Sequence, residues 1–282
     1  MCIIVCKFPF LSIFQLQVCV MKYNKQTMIP WRFLCLCCSL FFSCIILAQE
    51  NRNLLDKVHH AEPLYNDLVR DLGARKGEKE FNLGADITRT SLKDDFGYLM
   101  EYEFAPIDRL GLEVETDFTY VKSRIANVPS TNQLERLRLS SQYSFYVSKK
   151  NAATLAVGYT QIFNFVNGGT AFNPFFIAAK NWHRHWHTLI YTGPEIAYQY
   201  GTSKTAMDWQ VNTSFHYTVP NTDHFVGVEI NQEISSEGIH TVLHPQIKLG
   251  LSKKLAVGVA IGLPIGGAEN RLSSFLRIIY QL

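Results

Sequence analysis

Most of this chain has no cysteine. All seven cysteines (Cys2, Cys6, Cys19, Cys35, Cys37, Cys38 and Cys44) precede residue 48. The remainder therefore has no disulfide framework, no Cys-ligated metal and no thiol nucleophile. It also lacks an excess of base. The 282-residue sequence carries +3, yet Lys7, Lys22, Lys25 and Arg32 fall in the first 48 residues with no acid among them; removing those four bases leaves −1. Nucleic acid is therefore not an expected partner. Gly-x-Ser-x-Gly, a Gly-rich phosphate loop and a dinucleotide fingerprint are missing as well. No cofactor is expected, and the chain is read as a non-enzyme.

Long apolar runs are scarce. The run FLCLCCSLFFSCIIL, residues 33–47, follows Lys22, Lys25 and Arg32 and precedes Ala48-Gln49. It is short for a spanning helix, which needs about 20 residues. A basic region, an apolar region and a small residue before the cut make a signal peptide. We therefore expect a leader over 1–48, cleaved after Ala48, with Met21 or Met28 the true start. The alternatives are an uncleaved anchor and a lipid on Cys44. The apolar run continues through Ile45-Ile46-Leu47, which argues against the lipid. Taking 48 from 282 leaves 234 residues, enough for one large β domain.

What is present beyond the leader is alternation. In GYLMEYEFAPIDRLGLEVETDF, residues 97–118, Glu101, Glu103, Glu113, Glu115 and Asp117 interleave with Met100, Tyr102, Phe104, Leu112, Val114 and Phe118. A period of two puts one set on each face of a strand. The same period recurs over 80–88, 135–147, 153–165, 174–182, 186–200, 206–219, 224–234, 240–251, 255–263 and 271–282. In 206–219, Met207, Trp209, Val211, Phe215, Tyr217 and Val219 share one face; Asp208, Gln210, Asn212, Ser214, His216 and Thr218 share the other. The expected fold is all-β: an antiparallel transmembrane β-barrel of about twelve strands over 80–282, each near the ten residues that cross a bilayer.

Residues 49–79 differ. Leu64, Leu68 and Leu72 recur at four, Pro63 suits a first helical turn, and Gly73 suits the position past the last. This spacing predicts a short amphipathic N-terminal helix over 62–72 on the periplasmic side, packed on the barrel mouth or acting as a plug or docking element. Turns after even strands look tight (105–108, 148–151, 181–185, 220–223, 252–254). Those after odd strands look longer (122–133, 166–173, 235–239, 264–270). Short periplasmic turns and longer outside loops are the membrane-barrel pattern. Apolar-face aromatics gather near strand ends, as interfacial girdles do.

HAEPLYNDLVRDLGARKGEKEFNLG (60–84) and FAPIDRLGLEVE (104–115) resemble stretches of a family of Gram-negative outer-membrane proteins, from about residue 59 onward. The resemblance implies a barrel in the cell outer membrane and no particular substrate. It also implies outer-membrane lipid and the barrel-assembly machinery as partners. Leu276, Ile278, Tyr280 and Leu282 look like an assembly signal, with Leu282 where Phe is usual. In size and strand count the chain is similar, more distantly, to twelve-stranded channels for small solutes, a likeness of architecture alone.

In such a barrel Glu101, Glu103, Glu113, Glu115 and Asp117 face the lumen, and a turn near Ile107 sets Glu101 opposite Glu113. Arg136, Arg138 and Arg277 are the basic partners expected beside them. Charged arrays of this kind select solutes in pores. The expected function is passive passage of small hydrophilic solutes. The alternative is a non-conducting barrel filled by the same ion pairs. Ser214 and His216, two apart on one face, are the weaker pointer to a lipid hydrolase, with no third group evident. His183, His185 and His187 are spaced for one face and could take zinc or copper, but they span an expected turn flanked by Trp182 and Trp186. A polar turn at the membrane edge is the simpler reading.

Overall fold

The computed structural model describes residues 55–66, 68–89, 92–125, 127, 129–183, 185–202, 205–266 and 272–282. The leader and its cleavage site fall outside them. The period-two segments form β1 (Lys79–Arg89), β2 (Lys93–Ile107), β3 (Leu110–Ser123), β4 (Thr131–Ser148), β5 (Ala153–Asn164), β6 (Gly169–Trp182), β7 (Trp186–Gln199), β8 (Thr205–Thr218), β9 (Phe225–Ser235), β10 (Gly238–Gly250), β11 (Leu255–Ile265) and β12 (Leu272–Gln281). Each strand pairs antiparallel with its sequence neighbours, and β1 pairs β12 from Glu80↔Gln281 to Arg89↔Leu272, closing the barrel. Closure leaves no unpaired edge, which a lipid environment requires.

The barrel is inverted relative to a soluble one. Phe81 on β1, Met100 on β2, Val157 on β5, Ile190 on β7, Phe215 on β8, Ile247 on β10 and Leu276 on β12 are all exposed, as part of an apolar belt around the outside. Asn82, Glu101, Gln142, Ser214, Glu229 and Arg277 point inward and are buried. A belt of this extent on a monomer needs an apolar solvent. The protein is a transmembrane β-barrel. Trp186 stacks on Phe215 at 4.9 Å and lies 4.7 Å from Tyr217, one cluster of the expected aromatic girdle.

Two expectations change. The β2–β3 turn centres on Asp108-Arg109, with Arg109 at φ 69°, and the register slips between Phe104 and Ile107. Glu101 therefore faces Glu115, and Glu103 faces Glu113. The contrast in connection length also shrinks, because the strands run further than their alternation suggests. The segments after odd strands narrow to 124–130, 165–168 and 236–237, while that after β8 widens to 219–224. Loop length alone does not orient this barrel.

The larger change concerns the N-terminal segment. Among the described residues of 62–72 there is no helix, only bends, coil and the start of a turn at Leu72. Leu64 joins a cluster with Ala61, Phe225 of β9 and Ile279 of β12. Leu68, Val69 and Leu72 join another, with Ala156, Phe175, Ile177, Ala179, Leu189 and Tyr191 of β5, β6 and β7. These clusters belong to different walls of the barrel. A helix would hold all three leucines on one stripe and could serve only one wall.

Candidate functional site

Residues 57–78 run into the lumen and back out. The first arm enters beside His59, whose carbonyl accepts from Asn181 Nδ2 at 2.6 Å. Its backbone N–H groups then donate to wall side chains: Ala61 to His187 Nδ1 (3.2 Å), Leu64 to Gln246 Oε1 (2.7 Å), and Tyr65 and Asn66 to the Glu229 carboxylate (3.3 and 2.8 Å). Buried N–H groups need acceptors, and here the wall supplies what a helix would have supplied internally. Tyr65 stacks on His244 at 4.0 Å and meets Phe275 edge-on at 6.0 Å.

The second arm packs its apolar side chains on β5, β6 and β7 and its polar groups toward β1, β2, β4 and β12. Arg70 is 2 % exposed. Its Nη1 donates to Glu80 (2.9 Å) and Glu103 (3.2 Å), its Nη2 to Gln281 (3.2 Å), and its carbonyl accepts from Gln142 (2.6 Å). Gly111 of β3 makes room, since a Cβ there would collide with Arg70 Cβ. At Gly73, φ 76°, the chain turns and its N–H donates to Ser144 Oγ at 2.8 Å. Gly77 N–H then reaches the Ala105 carbonyl, bringing the chain to β1.

Charges cluster where the arms meet. Lys57 Nζ lies 2.8 Å from both Asp71 and Glu78. Burial works against the ammonium, but the two carboxylates overcome it and hold Lys57 above its ordinary value. Burial, then the neighbouring Asp71, push Glu62 well up, toward its protonated form. Burial would also raise Asp71, but Arg70 and Lys57 outweigh it and hold Asp71 down. Burial, with His187 nearby, pushes His60 down to about 4.

The expected lumen charges form a ladder. Arg136 Nε lies 2.9 Å from Asp117; Arg138 reaches Glu115 at 3.1 Å and Asp117 at 3.4 Å; Arg277 lies 3.5 Å from Glu101. Glu103 is held by Arg70 and Asn82, and Glu113 accepts from Ser140 at 2.9 Å. The carboxylates thus come together with all three expected arginines. Arg70 was not foreseen, because it sat inside an apparent helix. A further run of acids stands across the lumen. Glu195 of β7 faces Asp208 of β8 and accepts from Gln210 at 2.8 Å, and Glu233 of β9 faces Gln210 and His240.

The histidine triplet is not gathered into one site. His183 sits in the turn at φ 49° and His185 follows it there. His187 points inward with both ring nitrogens engaged, Nδ1 accepting from Ala61 and Nε2 beside Thr218 Oγ1 at 3.1 Å. Among the described residues no three metal-binding side chains converge. Ser214 and His216 are both buried in the lumen. His216 packs on Phe225 at 4.6 Å.

The family model described as HAEPLYID-like matches residues 56–281. The chain belongs to this family. The description is itself a string of residues, and this chain reads HAEPLYND over 60–67. No curated protein matches. Among solved structures, the chain is similar to an outer membrane channel from Pseudomonas putida F1 (12 % identity, TM-score 0.59, covering 81 % of this chain and 100 % of that one). It is similar to the NanC porin (10 %, 0.55, 72 % and 100 %) and the KdgM porin (10 %, 0.53, 72 % and 99 %). At such identity these likenesses establish the fold: a twelve-stranded antiparallel barrel of the outer-membrane porin-like kind.

Proposed function

We propose that this protein is a passive channel for small hydrophilic solutes whose lumen is closed by its own N-terminal segment and opens when the first arm of that segment leaves. The observation that carries this reading is the way the plug is held. Its first arm makes no strand pairs and rests on hydrogen bonds from its backbone N–H groups to wall side chains, worth about 0.5–1.5 kcal/mol each at His187 and Gln246. Such bonds can be exchanged for water without unfolding the barrel. The end bearing both chain termini is assigned to the periplasm, and the leader over 1–48 delivers the chain there. Glu195, Asp208 and Glu233, with amide and imidazole neighbours rather than guanidinium, bias the path toward cations, joined by the partly exposed Arg136–Asp117 and Arg138–Glu115 pairs.

The test uses the cysteine-free mature chain. A Cβ on Gly258 would touch the Leu64 side chain, so Leu64→Cys with Gly258→Cys can form a disulfide between plug and wall. In planar bilayers, refolded 49–282 should show discrete openings. The oxidised double variant should be silent, and reductant should restore it. Openings that persist in the oxidised protein would refute a gate formed by the first arm. Silence from both proteins, each folded and heat-modifiable, would favour a filled structural barrel.

A further inference from the structure

A cavity of about 670 Å³ lies between the first arm of the plug and the ends of β8, β10, β11 and β12. It is lined from the plug by His60 and Glu62 and from the wall by His187, Lys248, Lys253 and Lys254. Its charge is lopsided. The other ammonium at its edge, Lys57, is committed to Asp71 and Glu78. Lys248 Nζ is held 5.8 Å above the Phe225 ring, and Lys253 and Lys254 stand on the exposed 251–254 turn beside it. Three ammonium groups thus share one wall. The acids in the lining are Glu62, Asp71 and Asp223. Asp71 is paired with Lys57, so three ammonium groups face Glu62, on which Lys248 acts, and Asp223. His60 is kept neutral by burial and His187, and its Nε2 lies 3.0 Å from Thr154 Oγ1.

We propose that this cavity is a binding site for a small soluble polyanion carrying two or more phosphate or carboxylate groups, and that the bound anion fastens the plug to the wall. The volume exceeds what one phosphate fills and falls within the range of small-molecule sites. Lysines suit this role as mobile point charges that converge on several anionic groups. The occupant would touch the plug at His60 and Glu62 and the barrel at Lys248, so it would bind the closed form more tightly than the open one and shift the population toward it. The binding claim stands on the cavity alone; the fastening claim rests on the gated-channel reading above.

Inorganic pyrophosphate is the probe. Thermal unfolding of refolded 49–282 in neutral detergent, titrated at constant ionic strength against sodium chloride, should show a saturable rise in Tm. Lys248→Ala should weaken apparent affinity at least tenfold. Lys253→Ala with Lys254→Ala, on an exposed turn, should weaken it about threefold and keeps the test alive if the first variant misfolds. Lys150→Ala, on a different turn, should change nothing. In bilayers, pyrophosphate on the terminus-bearing side should lower open probability, and on the other side should not. No saturable shift, or a shift that Lys248→Ala and Lys150→Ala alter equally, overturns the site. Stabilisation by phosphatidylglycerol nanodiscs without any response to pyrophosphate overturns the soluble ligand in favour of a lipid headgroup. Lys248-dependent binding in a barrel that never conducts leaves the site standing and removes the gate. A gated barrel indifferent to pyrophosphate does the reverse.

Discussion

The two arms of the plug lie in one lumen and are held by different physics. The first arm buries Ala61 and Leu64 in a small cluster and is otherwise hung from wall side chains by its backbone N–H groups. The second arm buries Leu68, Val69 and Leu72 against six apolar wall residues and places a guanidinium between Glu80 and Glu103. The first arm's hydrogen bonds are single contacts to His187, Gln246 and Glu229, which water can replace as the arm lifts away. Removing one partner of a buried ion pair strands the other. On the gated-channel reading proposed above, the second arm is the anchor and the first is the part that leaves. Such a gate needs both: without an anchor the whole segment would swing out of the lumen, and without a releasable arm the lumen would stay shut.

The largest break in that contrast comes from Arg70. Arg70→Met strands Glu80 and Glu103 and should cost about 3–5 kcal/mol, read as a lower Tm together with a continuous current. Adding Glu103→Gln should return part of the lost stability. An Arg70→Met protein with wild-type Tm and wild-type gating would mean the second arm is no anchor.

Glu229→Gln acts on the first arm. Three donors converge on this carboxylate, from Tyr65, Asn66 and Gln246, and a Gln presents only one oxygen to them. Leaving one N–H unmet should cost about 1–3 kcal/mol. That cost should appear as a roughly 5- to 150-fold shift toward the open state with barrel Tm unchanged. A fall in Tm without more openings would erase the distinction between the arms.

The smallest effect is a pH dependence. Docking raises Glu62 above its ordinary 4.5 through burial and Asp71, and lowers His60 from 6.5 to about 4 through burial and His187. Between about pH 4.5 and 6.5 the released plug holds the His60 proton and the docked plug holds the Glu62 proton, so docking is flat. Above 6.5 the released plug has lost both protons while the docked plug still keeps that of Glu62. Docking then weakens by up to about 1.4 kcal/mol per pH unit, and open probability should climb as pH rises above 6.5. Glu62→Gln imitates the protonated acid and leaves His60, with His187, whose Nδ1 must stay unprotonated to accept from Ala61, acting in the same direction. Its channel should reverse the trend, opening more as pH falls from 6.5 toward 4. A Glu62→Gln channel that still opens with rising pH would refute the assignment.

Much of the barrel was legible in single residues. Met207 through Thr218 alternate in sequence and alternate in the structure, apolar out and polar in, because the pleat of a strand has no other period. Arg136 and Arg138 were expected beside Glu115 and Asp117 because cross-strand neighbours on one face must compensate charge, and they do. The pairing of Glu101 with Glu115 was missed, since a one-residue error in a turn moves every partner by two. A plug was among the readings of this segment, but as a helix, and its extended course was missed for a different reason. Leucines four apart are what an amphipathic helix and a chain spanning two walls both need. One signal did point inward: β6 is apolar on both faces, with Phe172 and Phe176 outside and Phe175, Ile177 and Ala179 inside. A lumen wall that is apolar is a wall something covers.

The sequence by itself determined that this is an inside-out barrel, with lipid-facing and lumen-facing residues sorted by position parity, since that sorting is local and each strand carries it alone. It also determined which charges share a wall. Only the tertiary structure decided that residues 57–78 occupy the lumen. The partners that replace a helix's own carbonyls stand far along the chain: His187 is 126 residues from Ala61, and Gln246 is 182 from Leu64. No local pattern can announce acceptors that exist only once the barrel has closed around the segment that needs them.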